Sequence, residues 1–142
     1  MLKKIRLIGM ACLVLATLVL FSSCSKDKQI VGKWKITKAI VDGEDASVFE
    51  KGKTWEFKDG GKCTLYIDGL DWEGEYTLND NTLSILVEYN GEHQEKISAD
   101  LTLNEFSKKE MSVSGNASVA YNTGELGWES WTEDISYEFE KM

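Results

Sequence analysis

Side chains that commonly perform catalysis are sparse in this sequence, and their surroundings do not favour it. The single histidine, His93, follows the turn pair Asn90-Gly91, where an exposed position at a hairpin tip is expected. Glu73 and Glu75 have the two-residue spacing that aligns carboxylates on one face of a strand, but that face is the polar one. We therefore predict no catalytic residue, no cofactor and no metal site, and we expect that the protein is not an enzyme.

The three cysteines limit the remaining covalent chemistry. Cys12 lies within a hydrophobic stretch and Cys24 follows two serines after its end, which leaves Cys63 without an evident disulfide partner. Cys63 belongs to an alternating apolar run, where a small buried side chain is the expected role. Only Cys24 is in a position that suggests modification.

The segment before Cys24 has the features of an export signal. Lys3, Lys4 and Arg6 precede an apolar stretch, Leu7 to Phe21, that is shorter than the about 20 residues needed to span a bilayer. Ser22-Ser23-Cys24 resembles the lipobox of bacterial lipoproteins, in which the cysteine thiol receives diacylglycerol and cleavage makes it the first residue. The resemblance predicts lipidation at Cys24; an uncleaved anchor and an ordinary secretory signal are the alternatives.

Acidic residues dominate the charge of the chain. Its net charge is −8, and removal of the signal, which carries basic residues and no acidic ones, makes the remainder more negative. Such a surface repels phosphate backbones and anionic headgroups, so we expect no nucleic-acid partner. Attachment to a lipid bilayer would then come from N-terminal acyl chains.

The predicted organisation has three parts. Residues 1–23 are the lipoprotein signal peptide, residues 24–29 are a short polar tether from lipidated Cys24, and residues 30–142 are one domain. This last segment has the length of a single domain with one core.

Apolar residues recur at every second position through this domain, which is the period of half-buried antiparallel strands. Turn sequences such as Asp59-Gly60-Gly61 and Asn90-Gly91 separate the segments, and only Gly43–Gly52 is suited to a short helix. Tight connections and the absence of proline predict an all-β fold, an eight-stranded up-and-down antiparallel barrel with no unpaired edge. The predicted strands are Val31–Ile40, Thr54–Lys58, Lys62–Asp68, Trp72–Leu78, Thr82–Tyr89, Lys96–Leu103, Met111–Tyr121 and Trp131–Lys141.

The same alternation assigns the inward faces. Odd-numbered connections of a meander share one barrel end, so we expect a mouth there, with the N-terminus at the other end. Near this mouth, aromatic residues with one cation and one anion have the composition of a ligand pocket. The predicted ligand-binding residues are Lys38, Trp55, Trp72, Tyr89, Tyr121, Trp131 and Glu133. The small inward residues Gly74, Ala99, Gly115 and Ala117 indicate a cavity, whereas the large aromatic side chains could instead fill the barrel.

Gly32-Lys33-Trp34, at the start of the first strand, resembles the Gly-x-Trp motif of lipocalins and of small bacterial lipoproteins with lipocalin-like domains. Phrases such as Gly74-Glu75-Tyr76-Thr77-Leu78 are similar to hairpin sequences of the same family. The resemblance implies that Trp34 closes one barrel end under a basic residue of the last strand, usually Arg. Lys141, in phase with inward Tyr137, is the candidate here, so Gly32, Trp34 and Lys141 are the predicted closure residues.

Two functions follow as hypotheses. The first is a membrane-anchored lipoprotein of the bacterial cell envelope, in the outer membrane on its periplasmic or surface face, whose barrel binds a small hydrophobic or amphipathic molecule. The alternative is a filled-barrel envelope scaffold or protein-interaction module that uses the predicted loop 122–130 and binds no small molecule.

Overall fold

The computed structural model describes residues 26–142. The predicted signal peptide and Cys24 lie outside this range. Residues 26–30, which include the described part of the predicted tether, are helical (α1), and residues Val31–Met142 form one compact unit. In the described part of the chain, no helix has the length and hydrophobicity needed to cross a bilayer.

Residues Val31–Met142 form an eight-stranded antiparallel barrel with one additional two-residue strand, which confirms the predicted all-β fold. Each barrel strand pairs with the next barrel strand along the chain, and the first strand pairs with the last, so the sheet closes on itself. The elements are β1 (Gly32–Val41), β2 (Glu44–Asp45), α2 (Ser47–Glu50), β3 (Thr54–Phe57), β4 (Lys62–Ile67), β5 (Leu70–Asn79), β6 (Thr82–Asn90), β7 (Gln94–Phe106), β8 (Glu110–Asn122) and β9 (Trp128–Lys141).

A β-bulge at Thr37 changes the direction of the side chains along β1. Ile36 pairs with Phe139, but the next pair is Lys38 with Glu138, so Thr37 is the extra residue. As a result Ala39 is buried and Lys38 is exposed. The prediction that Lys38 faces the barrel interior is therefore wrong, because strict alternation takes no account of the inserted residue.

A second bulge, at Asn104 of β7, helps to close the end of the barrel that contains Trp34. Leu103 pairs with Val113 and Glu105 with Ser112, and the Ser112 Oγ accepts a 3.1 Å hydrogen bond from the Glu105 backbone N–H. The shift in phase turns Phe106, rather than Glu105, towards the barrel axis. The Phe106 ring lies 6.0 Å from that of Trp34.

Gly74 and Gly115 lie where neighbouring backbones approach too closely for a side chain. A Cβ at Gly74 would be 1.9 Å from the Leu86 carbonyl oxygen, and one at Gly115, where φ is +153°, would be 2.6 Å from that of Asp100. Glycine at these positions allows β5 and β8 to bend, as closure of a small barrel requires.

Trp34 is completely buried under Lys141. The end of the barrel that these two residues occupy is the closed end. The two residues are register partners across the β1–β9 seam, and the Lys141 Nζ lies 5.3 Å from the centroid of the indole ring. A Cβ at Gly32, where φ is +136°, would be 2.7 Å from the Lys141 Cε. Gly32 thus leaves room for the lysine stem, and Lys141 occupies the position predicted for it.

Replacing Lys141 should destabilise the barrel. Lys141→Ala removes a cation–π contact of about 0.5–2 kcal/mol together with the packing of the stem on the indole. The melting temperature should fall by several degrees, since each kcal/mol corresponds to about 4–8 °C for a domain of this size. Lys141→Met, which keeps the stem, should lose less, and Lys35→Ala on the exposed side of the seam is the matched control. Equal melting temperatures for Lys141→Ala and Lys35→Ala would contradict this role.

Candidate ligand-binding cavity

The half of the barrel opposite Trp34 is hollow. It contains a cavity of about 610 Å³, within the range of about 300–1,000 Å³ usual for small-molecule sites. The cavity reaches exposed residues such as Asp68 and Trp131 at the end formed by the odd connections, as the topology predicts. The large aromatic side chains therefore do not fill this barrel. Its apolar and aromatic walls are formed by Val41, Ala46, Phe49, Trp55, Leu65, Ile67, Trp72, Ile85, Ile97, Ala99, Ala117, Val119, Trp131, Ile135 and Tyr137.

Two small residues create the space. Ala99 of β7 and Ala117 of β8 are register partners, and both line the cavity. A larger side chain at either position would project into the volume that a ligand needs. Gly74 and Gly115, which the sequence suggested for the same role, do not line the cavity and instead permit the strand bends described above.

The connection between β1 and β3 is fixed across the mouth by hydrogen bonds to β1. The Gly52 N–H donates to the Ile36 carbonyl and the Ile36 N–H donates to the Lys53 carbonyl, both at 2.9 Å. The Ala39 N–H donates to the Ser47 Oγ at 3.0 Å. These bonds occupy the edge of β1 that the short strand β3 leaves unpaired, and they direct Phe49, Glu50 and Lys53 to the cavity.

Two of the cavity's tryptophans lie against the barrel wall. The Trp55 ring contacts Tyr137 and Phe139 at centroid distances of 5.6 and 4.9 Å. The Trp72 ring lies 5.7 Å from Tyr89. Trp72 thus packs on the neighbouring strand β6, whereas Trp55 reaches past β1 to pack on β9.

Trp72 carries a hydrogen-bond donor without a partner. Its side chain is only 5% exposed, and among residues 26–142 no group accepts a hydrogen bond from its Nε1. A buried unsatisfied donor destabilises a protein by about 1–3 kcal/mol. Trp72 also lines the cavity, so this donor belongs to a residue of the cavity wall.

Five charged side chains line the cavity, and four of them are acidic. The Lys53 Nζ lies 3.2 Å from the Glu50 Oε1 and 3.7 Å from the Asp68 Oδ1. Glu95 and Glu133 form no ion pair within residues 26–142, and Glu133 accepts a 3.0 Å hydrogen bond from the Trp131 Nε1. The single cation is already shared by two carboxylates, so the cavity carries excess negative charge.

The electrostatic effect of these acids is evident at Tyr137. Burial is the main reason that the pKa of its hydroxyl lies above the ordinary value, and the negative charges of Glu50, Glu133 and Asp68 raise the pKa further. Carboxylates from α2, from the β4–β5 turn and from β9 therefore raise the pKa of the same wall residue.

The structure brings together only part of the predicted site. Trp55, Trp72, Trp131 and Glu133 line the cavity, whereas Lys38 is exposed outside it.

Two predicted aromatic residues support the site without lining it. Tyr89 packs on Trp72, and Tyr121 packs on Trp131 with centroids 5.5 Å apart. The Tyr121 hydroxyl donates a hydrogen bond to Glu129, which is the main reason that its pKa is raised.

Sequence patterns did not identify Glu50, Lys53, Asp68 and Glu95 as cavity residues. Glu50 and Lys53 belong to the β1–β3 connection, where strand alternation gives no direction to side chains. Asp68 follows β4 in a left-handed backbone conformation, with φ of +51°. Glu95 lies one residue before Lys96, where the sequence predicted that this strand begins. Only their proximity to the predicted mouth could have suggested them.

Residues considered for other chemistry lie away from the cavity. Cys63 is buried in β4, and burial raises the pKa of its thiol to about 11, which keeps it protonated and unreactive at neutral pH. His93 is exposed in the β6–β7 turn. Within residues 26–142, no three His, Cys, Asp or Glu side chains are grouped to hold a metal ion.

Comparison with known proteins gives one match. A family model described as a lipocalin-like domain matches residues 30–113, which extend from the start of the barrel into β8. No curated protein and no solved structure matches the chain significantly.

The raised pKa of Tyr137 predicts an alkaline loss of stability. Because the folded value exceeds the unfolded value of about 10, the stabilisation is complete below pH 10 and disappears as the pH rises through the folded value. Unfolding by denaturant at a series of alkaline pH values should show a shallower decline for Tyr137→Phe than for the wild type. Tyr66→Phe, which alters an exposed tyrosine, is the matched control. Identical pH profiles for Tyr137→Phe and the wild type would contradict the assignment.

Proposed function

The chain belongs to the lipocalin-like domain family, and from this membership and the open barrel we propose that it binds a small hydrophobic or amphipathic molecule. The observation that carries the proposal is the cavity of about 610 Å³ lined mainly by apolar and aromatic side chains. Transfer of a ligand's apolar surface from water to such walls contributes about 25 cal/mol per Å². The proposed activity is binding without catalysis.

The proposal includes attachment to a membrane through lipid on Cys24. Ser22-Ser23-Cys24 follows a short hydrophobic stretch, and the acidic composition gives a bilayer surface little electrostatic reason to bind the domain. Several acyl chains on one residue would provide stable anchoring, since a single chain binds only marginally. We propose the outer membrane of a bacterial envelope as the location.

A second candidate function is suggested by the exposed apolar residues of the β8–β9 hairpin. Leu126 is 82% exposed and Trp128 is 48% exposed, and the Lys96 Nζ lies 5.1 Å from the centroid of the Trp128 ring. The turn is shorter than the predicted loop 122–130, because β9 already begins at Trp128. Capture of a protein partner at this hairpin, with no molecule in the cavity, would favour an interaction module.

Filling the cavity should abolish binding. Ala117→Phe places a ring in the open volume, whereas Ala120→Phe, on the opposite face of the same strand, leaves the cavity unchanged. With Nile red as a neutral apolar probe, fluorescence titration should show binding to the wild type and to Ala120→Phe, and at least about tenfold weaker binding to Ala117→Phe. Thermal melting of both variants checks that they fold, and Ala99→Leu provides a milder obstruction. Unchanged affinity in folded Ala117→Phe and Ala99→Leu would contradict the proposed site.

Lipidation is tested separately from ligand binding. Cys24→Ser should abolish incorporation of labelled palmitate and release the protein from the membrane fraction, because the serine cannot form the thioether. Cys12→Ser in the same precursor should retain the label. Equal labelling of the Cys24→Ser variant and the wild type would remove the lipoprotein assignment.

A further inference from the structure

Negatively charged groups outnumber positively charged ones in the cavity. Four carboxylates and one ammonium group line it, and the ammonium of Lys53 is within 4 Å of two of those carboxylates, Glu50 and Asp68. An anionic ligand would have to compete with both for Lys53 while entering a region of excess negative charge. The arrangement therefore disfavours a ligand with a carboxylate or sulfate at its polar end.

Glu133 is the carboxylate best placed to receive a positive charge. It is partly buried, lines the cavity and, among residues 26–142, has no lysine within ion-pairing distance. Its Oε1 accepts one hydrogen bond from the Trp131 indole, which leaves acceptor capacity on the carboxylate. A charged group buried beside apolar walls is stabilised when an opposite charge pairs with it.

Aromatic rings next to Glu133 add to this preference. The Trp131 indole, whose N–H donates a 3.0 Å hydrogen bond to Glu133, lines the cavity. Tyr137 also lines it and lies on the same strand, four residues after Glu133. The faces of such rings attract ammonium groups, particularly where water is partly excluded. The raised pKa of Tyr137, to which Glu50, Glu133 and Asp68 contribute after burial, supports a negative potential at this part of the wall.

One residue of the cavity wall carries a buried polar group. The Trp72 Nε1 is buried in that wall and has no acceptor among the described residues. The cavity thus combines apolar walls, one unsatisfied N–H and an acidic mouth.

We propose that the cavity selects amphipathic molecules whose polar end is a protonated amine or another ammonium group, and that Glu133 pairs with that group at the mouth. The inference rests on the proposed binding function and specifies its ligand class. Glu95 of β7, which also lines the cavity and has no lysine partner among residues 26–142, adds negative potential on the same inner face of the sheet. The apolar chain of the ligand would pack on Ala117, the register partner of Glu133, and on Ala99 beside it.

Three probes with the same alkyl chain separate charge from hydrophobicity: dodecylamine, dodecanol and dodecanoate. Each is titrated into the purified full-length protein at neutral pH, below the concentration at which it self-associates, with tryptophan fluorescence and calorimetry as readouts. We expect dodecylamine to bind at least about tenfold more tightly than dodecanoate, with dodecanol between them. Dodecanoate binding as tightly as dodecylamine, or more tightly, would overturn the inference while leaving the binding function intact. Failure of all three probes to bind would overturn the proposed function and the inference with it.

Matched variants identify the carboxylate. Glu133→Gln preserves shape and the hydrogen bond from Trp131, and it should reduce the ratio of amine to carboxylate affinity by about tenfold. Glu138→Gln makes the same change in net charge on the exposed face of the same strand and should leave the ratio unchanged. An equal effect of the two variants would show that only the overall charge matters and would contradict the role of Glu133.

Lys53→Met provides a test of opposite sign. It frees Glu50 and Asp68 from their shared cation, so dodecylamine should bind more tightly than to the wild type. If Lys53→Met instead abolishes dodecanoate binding and leaves dodecylamine binding unchanged, Lys53 is the headgroup site and the inference is wrong.

Discussion

Closure of the sheet between β1 and β9 is the constraint on which the rest of the structure depends. β1 must pair with β9 along nearly its whole length and with β3 along its first residues, and the Thr37 bulge adjusts its twist to permit both. Because β3 is only four residues long, the upper edge of β1 is left for β2 and the segment carrying α2. The connection that covers the edge is the same one that carries Phe49, Glu50 and Lys53 to the mouth. Barrel closure and the shape of the binding cavity thus have a common origin.

The two ends of the barrel differ in how their interior is filled. At the closed end Trp34, Phe57 and Met111 occupy the axis with little exposure, under the cover of Lys141. At the open end Ala99 and Ala117 stand where larger side chains would fill the interior, while Trp55 packs on Phe139 and Trp72 packs on Tyr89. The closed half therefore supplies the packed core that stabilises the domain, and the open half is free to contain a ligand. This division explains how a small domain can tolerate a cavity of about 610 Å³.

Sequence patterns predicted the barrel well because its strands have one consistently apolar face. All eight predicted strands are present, the short helix lies within its predicted segment, and the Gly32, Trp34 and Lys141 cluster forms at the expected end. Alternation failed for Lys38 because a bulge depends on pairing with a distant strand. It also gave no information on Glu50 and Lys53, whose directions are set by hydrogen bonds between a loop and β1. Local periodicity thus predicted the apolar residues that form the walls of the cavity, but not most of its charged residues.

The proposed ligand site lies over Ala99 and Ala117, which are neighbours on one wall of the cavity. The most direct measurement is the NMR chemical shift of alanine methyl groups during titration with dodecanol, a neutral probe. We expect the methyl signals of Ala99 and Ala117 to shift together and saturate, while that of Ala120, which does not line the cavity, does not move. Shifts confined to exposed residues such as Leu126 and Trp128, with Ala99 and Ala117 unaffected, would contradict it.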